Sequence, residues 1–233
     1  MILTKINIYY INLERALDRK INMENRYKNI KRIEAYDGNN IKKYNDIILK
    51  DNYGESWNEI GCSLSHVKAI KKAYENNDKE AIILEDDMSD EYKDKWELQI
   101  DEIVELSKNN NVESINLHCV NPKEISRMIN IKAKFSKWNW HKWSNGAYYI
   151  NRNGMKKILD FYIRDNKIDF KNNKKIVDYK ADSGALLPLI NSYVYTKPLF
   201  IHDNKGSYIQ PKKDLHVHDD AYKLIKGYFD NIS

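Results

Sequence analysis

The sequence predicts an α/β protein with a mostly parallel central sheet flanked by helices, and two observations carry that reading. Segments of strand-type alternation take turns with segments of three- and four-residue apolar spacing along the first half of the 233 residues. One short apolar run, residues 81–84, ends in three consecutive carboxylates, Glu85, Asp86 and Asp87. In a sheet of this class the ligand site lies beyond the carboxyl ends of the strands, and the three acids occupy such an end.

Residues 5–13 alternate and are rich in Ile and Tyr, which predicts the first strand; residues 16–29 then switch to helical spacing. KRIEAY reads as a short strand and Asp37-Gly38-Asn39-Asn40 as a turn. Ile60, Leu64, Val67, Ile70 and Tyr74 recur on one helical face that ends in the polar turn Asn76-Asn77-Asp78. The strand 81–84 follows. Tyr92, Trp96, Ile100, Ile103 and Leu106 mark a further helix face, and SINLH, residues 114–118, the next strand. In the less regular second half, a Gly-Ala-Tyr-Tyr strand precedes a helix over 155–163. Short strands are predicted near 193–196 and 199–202, and a last helix over 219–229. The chain has no internal repeat and no linker long enough to separate domains, so one domain over 1–233 is expected.

Composition narrows the function classes. Apolar residues make up 42% of the chain and charged residues 31%, with a mean hydropathy of −0.75, as in a well-solvated protein. Apolar runs such as 81–84 and 185–187 fall far short of the ~20 residues that span a bilayer. The opening residues lack a basic head, a long apolar stretch and a small-residue cleavage site, which predicts a strand rather than a signal peptide and a cytoplasmic location. The two cysteines, Cys62 and Cys119, are widely spaced and read as buried thiols. The net charge of +5 favours an anionic ligand without indicating nucleic acid, and the basic clusters at 28–32 and 171–175 read as solvated.

The eight glycines form neither G-x-G-x-x-G nor the Walker A spacing, and G-x-S-x-G and H-E-x-x-H are absent, which disfavours dinucleotide oxidoreductases, P-loop enzymes and two hydrolase classes. The acidic triplet is the best chemical lead. Burying adjacent unpaired carboxylates costs several kcal/mol or forces protonation, so a cation is expected beside them. Hard oxygen ligands at a strand end suit Mg²⁺ or Mn²⁺ held together with substrate phosphates. The competing account makes Asp86, Asp87 and Ser89 loop residues that cap a following helix.

Three stretches in order, YYINLERALDRK, NEIGCSLSHVKAIKKAYENNDKEAIILEDDM and NGAYYINRNGMKKIL, resemble glycosyltransferase family 25. That family contains bacterial lipopolysaccharide galactosyltransferases, procollagen galactosyltransferases and giant-virus homologues. The motifs span roughly residues 5–207, and G-C-x-L-S-H followed about twenty residues later by L-E-D-D is specific. The resemblance implies a GT-A type nucleotide-sugar fold, with a nucleotide-binding half over 1–120 and an acceptor-side half over 121–233. It also implies a divalent metal, Mn²⁺ or Mg²⁺, and transfer of a hexose from a UDP-sugar to a glycan or protein hydroxyl with inversion.

Carried onto this chain, the resemblance places the metal on Asp87, with Glu85 or Asp86 contributing directly, through water or by holding the ribose. Asn12, Leu13, Arg15 and Arg19 match the nucleotide-side motif, and arginine suits diphosphate through its planar fork of donors. Ala35, Asp37 and Gly38 match a turn near the base or ribose; a simple β-turn is the alternative. Asn145, Gly146 and Ala147 would border the sugar or acceptor. Asp182, with Asp178 in reserve, is the expected base for the acceptor hydroxyl, against helix capping as the other account. His202 stands where relatives often carry glutamine, before a Ser-x-Ile matched by Ser207, Tyr208 and Ile209, and it either completes the metal shell or touches diphosphate. Ser65 and His66 match L-S-H, where His66 is either structural or catalytic. His216 and His218 make a weak zinc pattern, and Asp219 reads as a helix cap. The tryptophans of WNWHKW read as core or as an acceptor platform.

Two other functions compete with the transferase. A non-catalytic nucleotide- or glycan-binding module on the same fold would not need the intact triplet. A phosphoesterase would use the same acids but with more Asp and His ligands for two metals.

Overall fold

The computed structural model describes residues 4–171, 179–203 and 216–232, without the side chains of Asp182 and Ser183. The elements are β1 (Asn7–Asn12), α1 (Leu17–Arg26), β2 (Lys31–Glu34), β3 (Ile47–Ile48), α2 (Trp57–Glu75), β4 (Glu80–Glu85), β5 (Met88–Ser89) and α3 (Ile100–Lys108). They continue with β6 (Ser114–Asn116), α4 (Pro122–Ile129), β7 (Phe135–Lys137), β8 (Ala147–Asn151), α5 (Arg152–Tyr162), β9 (Ile163–Arg164), β10 (Lys167–Asp169), β11 (Ser192–Tyr195), β12 (Ile201–His202) and α6 (His216–Asp230).

The main sheet has the order β2-β1-β4-β8-β6-β11-β7. β2, β1, β4, β6 and β11 point the same way, while β8 and β7 run against them. The result is a mixed α/β fold around a mostly parallel sheet. β8, from the second half of the chain, lies between β4 and β6 from the first, so both halves build one sheet.

Alternation along the strands sorts the core into two layers. Tyr9, Ile11, Ala81 and Ile83 face α2 and α5 through Ile60, Leu64, Val67, Met155 and Ile158. Ile8, Tyr10, Ile82 and Leu84 face the other layer, which holds Met23 of α1, Ile100 and Ile103 of α3, Ile125 of α4 and Ile225 of α6. β4 is therefore covered on both sides, and residues 81–84 are fully buried. Burial of each Ile or Leu side chain in this run stabilises the fold by about 1.5–3 kcal/mol, which favours the register that leaves the acids at the strand end.

Local chemistry sets the helix boundaries. α2 begins with a capping box in which the Ser56 hydroxyl accepts from the Glu59 N–H at 3.2 Å and the Ser56 N–H donates to Glu59 Oε2 at 3.0 Å. The helical face expected over 92–106 begins only at Ile100. Trp96 is instead pinned by tertiary contacts, donating its indole N–H to the Leu199 carbonyl at 3.1 Å. Leu106 is exposed, and Val104 takes its place on the buried face. The described part of α6 already includes His216, so Asp219 lies inside the helix instead of capping it. Arg32 of the 28–32 basic cluster is a partly buried hydrogen-bond donor, not a solvated charge. No helix among the described residues is long and apolar enough to cross a membrane.

The turn after β2 packs against α2 through glycine. A Cβ on Gly38 would meet the Trp57 carbonyl oxygen at 2.4 Å and the Asn58 backbone at 2.5 Å. Neither group can rotate away as a side chain tip would. Gly38→Ala is therefore expected to cost about 1–3 kcal/mol, read as a lower midpoint in urea; an unchanged midpoint would contradict this close approach.

Candidate active site

β1 and β4 are parallel neighbours in a register that pairs Ile11 with Glu85, so their carboxyl ends place Asn12 beside the acidic triplet. Asn12 is almost fully buried. Its amide donates to Asp86 Oδ2 at 2.7 Å and to the Ala16 carbonyl at 3.0 Å, and its Oδ1 accepts from Arg32 Nε at 2.9 Å. From α1, the buried Arg19 sends Nη1 to Asp86 Oδ1 at 2.8 Å and to Asp87 Oδ2 at 3.4 Å. Both oxygens of Asp86 are thus engaged by the protein, which makes it the group that fixes Asn12 and Arg19. Burial raises the Asp86 pKa, and Arg19 and Asn12 oppose that rise.

Glu85 faces another way. Its Oε1 lies 3.2 Å from His66 Nε2 and 3.7 Å from the Cys62 thiol, both on α2. His66 is fully buried and its Nδ1 is 3.2 Å from the Tyr148 hydroxyl of β8. Burial alone would raise the Glu85 pKa, but the hydrogen bond and charge of His66, with Arg19 and Cys62, outweigh it and hold Glu85 below the ordinary value. The Glu85 N–H donates to the Gly146 carbonyl at 2.7 Å, which ties the triplet to the Asn145-Gly146-Ala147 segment.

Asp87 is the member left over. Its Oδ1 is buried without a hydrogen-bond partner. Burial and then the charge of Glu85 push its pKa up to about 7, against the pull of Arg19. The short strand β5 follows directly and pairs with β12, setting His202 opposite Met88, while the Asp203 N–H donates to the Asp87 carbonyl at 2.6 Å. No helix starts at the triplet, so the helix-cap account of Asp86, Asp87 and Ser89 does not hold.

His202 is buried, and burial together with His218 lowers its pKa to about 4. The backbone of His218 lies beside its ring, short of good hydrogen-bond geometry, and neither ring nitrogen makes a well-formed bond. The His118 ring stands 6.0 Å from that of His202 and the His218 ring 5.0 Å, each edge-on. His118 Nδ1 meets the Ser144 hydroxyl at 2.7 Å and its Nε2 has no partner. An orphaned buried polar atom costs about 1–3 kcal/mol. The unpartnered Asp87 oxygen and neutral imidazole nitrogens therefore fit a site that a divalent cation and anionic oxygens complete. Asp87, Glu85 and His202 do not converge on one point as a preformed cage. Among the described residues, three metal-capable atoms come within 4.8 Å of one another only at Cys62, His66 and Glu85.

The other expected residues divide. Arg15 pairs with Asp37, whose Oδ1 also accepts from the Asn39 N–H at 3.0 Å as the cap of the Gly38–Lys43 turn. The Leu13 carbonyl accepts from the Ala16 N–H, and the Ala35 N–H donates to the Asn12 carbonyl, each at 3.0 Å. Asn145 donates to the Ala181 carbonyl, and its own side-chain oxygen is unpartnered. A Cβ on Gly146 would press within 2.9 Å of His118 Nδ1 and closer still to the Met88 side chain. Asp182 lies by its backbone in the helical turn Ala181–Ala185; Asp178, Ser207, Tyr208 and Ile209 fall outside the described residues. Trp138 is buried, as the core account expects, and packs obliquely against Trp140, which is 45% exposed. Cys119 is a buried thiol as expected, whereas Cys62 is only half-buried. Sequence reasoning missed Arg32, His118 and Tyr148. Of these, His118 had a usable signal, because it ends the SINLH segment just past a strand's carboxyl end.

Asp87 holds its proton to higher pH in the folded chain than in the unfolded one. Folding therefore takes up protons between the ordinary carboxylate range and about 7, and stability falls as pH rises across that interval. Asp86 shifts in the same direction, and the Glu85 contribution is confined to lower pH. His118, His202 and His218, all held below the ordinary imidazole value chiefly by burial, act in the opposite direction over much of this window, so the Asp87 contribution is read as a difference: in chelator-treated protein the melting temperature is expected to fall more, or rise less, with pH in the wild type than in Asp87→Asn. Parallel profiles would contradict the assignment.

Comparison with solved structures returns distant likenesses. A197 from STIV aligns at 9% identity and a TM-score of 0.39, covering 89% of this chain and 99% of that one. A glycosyltransferase involved in glycosylation of the major capsid of PBCV-1 aligns at 11% identity and a TM-score of 0.40, covering 94% and 98%. HddC from Yersinia pseudotuberculosis, complexed with GMP-PN, aligns at 12% identity and a TM-score of 0.38, covering 96% and 99%. No curated protein matches the chain in sequence. The family model "Glycosyltransferase family 25 (LPS biosynthesis protein)" matches residues 5–172, a span that holds Asn12, Arg19, the G-C-x-L-S-H helix, the acidic triplet and the Asn145-Gly146 segment. The chain belongs to glycosyltransferase family 25, and its activity is that of a glycosyltransferase.

Proposed function

We propose that this glycosyltransferase is metal-dependent, has a GT-A type fold, and moves a hexose from a UDP-sugar to a glycan or protein hydroxyl with inversion at the anomeric carbon. The observation that supports it most is the Asp87 carboxylate, brought to the end of the central strand with one oxygen buried and unpartnered. Asp87 and His202 are the residues that would hold Mn²⁺ or Mg²⁺, with Glu85 adding its remaining oxygen or a bridging water. A bound divalent cation supplies neutralisation of the charge that grows on the diphosphate leaving group.

The chain's own residues do the rest. Arg19, locked by Asp86, presents fixed positive charge at the edge of the diphosphate position, so little reorganisation is needed during transfer. Asn12 holds that arrangement through Asp86 and Arg32. The segment around Arg15, Ala35, Asp37 and Gly38 is assigned to the base and ribose. Asn145 and Gly146 are assigned to the sugar, where the free Asn145 oxygen is an acceptor for a hydroxyl. Inversion requires a base on the face opposite the leaving group, and that role is assigned to Asp182, with Asp178 as the alternative. A non-catalytic binding module is the second reading, and slow hydrolysis of a UDP-sugar without acceptor separates the two.

UDP with Mn²⁺ is expected to raise the melting temperature. Saturation to about a hundred times Kd corresponds to about 2.7 kcal/mol. Asp87→Ala should abolish the effect while leaving a folded protein. An unchanged melting temperature across UDP, GDP and Mn²⁺ would overturn the reading.

A further inference from the structure

We propose that Cys62, His66 and Glu85 form a second cation site, one that takes a borderline metal of the zinc class through sulfur, nitrogen and oxygen. Cys62 and His66 lie four residues apart on α2 and so share one face, and β4 ends with Glu85 against that face. The Glu85 Oε1 is 3.2 Å from His66 Nε2 and 3.7 Å from Cys62 Sγ, and the three atoms lie within 4.8 Å of one another. A tetrahedral zinc with its usual bond lengths sets nitrogen and oxygen ligands about 3.3 Å apart and sulfur and oxygen ligands about 3.5 Å apart. The two pairs that involve Glu85 thus already stand near ligand spacing, and the sulfur and nitrogen, within 4.8 Å of each other, need only close up to centre an ion.

The surroundings fit as well. A metal-bound histidine donates its other ring N–H to an outer partner that fixes its tautomer, and His66 Nδ1 faces the Tyr148 hydroxyl at 3.2 Å. A thiolate and a carboxylate cancel the charge of a divalent ion. Three protein ligands leave a fourth position for water or a ligand atom. The donor set also separates this site from the triplet: thiolate and imidazole favour zinc, whereas carboxylate and phosphate oxygens favour magnesium or manganese. The two share Glu85, so an ion bound by Cys62 competes for that carboxylate with the diphosphate site.

Cobalt(II) added to the reduced 233-residue chain tests this directly, because cobalt in a tetrahedral thiolate site gives a thiolate-to-metal charge-transfer band. The expected result is a band that saturates at one cobalt per chain, is displaced by zinc, is lost in Cys62→Ser and persists in Cys119→Ser. Absence of the band in the wild type, or its survival in Cys62→Ser, would overturn the proposal. Should Cys62→Ser not fold, alkylation of Cys62 in the wild type, read by mass spectrometry, decides. Zinc is expected to abolish labelling, and unprotected labelling counts against the site. Neither measurement uses UDP, a sugar donor or an acceptor, so their failure is distinct from failure of the UDP-dependent shift in melting temperature.

Discussion

Three like charges at the end of one buried strand constrain everything around them. β4 must be apolar on both faces because it is central, and it must stop at Glu85 because carboxylates cannot enter that core unpaired. The chain meets the resulting repulsion by sending the three side chains to different partners. Asp86 is bound by Arg19 and Asn12, Glu85 turns toward α2, and Asp87 is left with a buried oxygen unpartnered. The division explains why opposite pKa shifts arise two residues apart: Glu85 gains a hydrogen bond from His66, whereas Asp87 has burial and a neighbouring anion without equal compensation.

The sheet topology makes that arrangement depend on both halves of the chain. β8 inserts antiparallel between β4 and β6, and it brings Tyr148 behind His66 and Gly146 against the Glu85 N–H. β12 then reaches back to pair with β5, setting His202 beside the residues that follow Asp87. Residues far apart in sequence are thereby fixed relative to one strand end, which is the rigidity a site for charge stabilisation requires. The YYINLER and NGAYY segments meet at the triplet because β1 and β8 are the two neighbours of β4.

Much of this was legible in the sequence, for physical reasons that can be named. A four-residue apolar run closed by acids identifies a doubly covered strand and its open end, and the apolar spacing from Ile60 identifies α2. Asn12 and Arg19 came from family resemblance, since nothing in their spacing points to Asp86, seventy-four and sixty-seven residues away. Arg32 and Tyr148 were out of reach for the same reason: their importance is a contact, not a pattern. The helix expected around Trp96 failed because a tertiary hydrogen bond to Leu199 outweighs an apolar periodicity that mimics a helix face. The helix-cap account of the triplet failed because β5 follows it and is held by pairing with a strand more than a hundred residues later.

The central claim is that the acidic cluster at the end of β4 grips a divalent cation that in turn grips a diphosphate. Anomalous diffraction from crystals grown with Mn²⁺ and UDP tests it most directly. The account predicts a manganese peak within bonding distance of an Asp87 oxygen and of a diphosphate oxygen, next to Arg19. Manganese bound elsewhere, or UDP bound with Asp87 still unliganded, would contradict it.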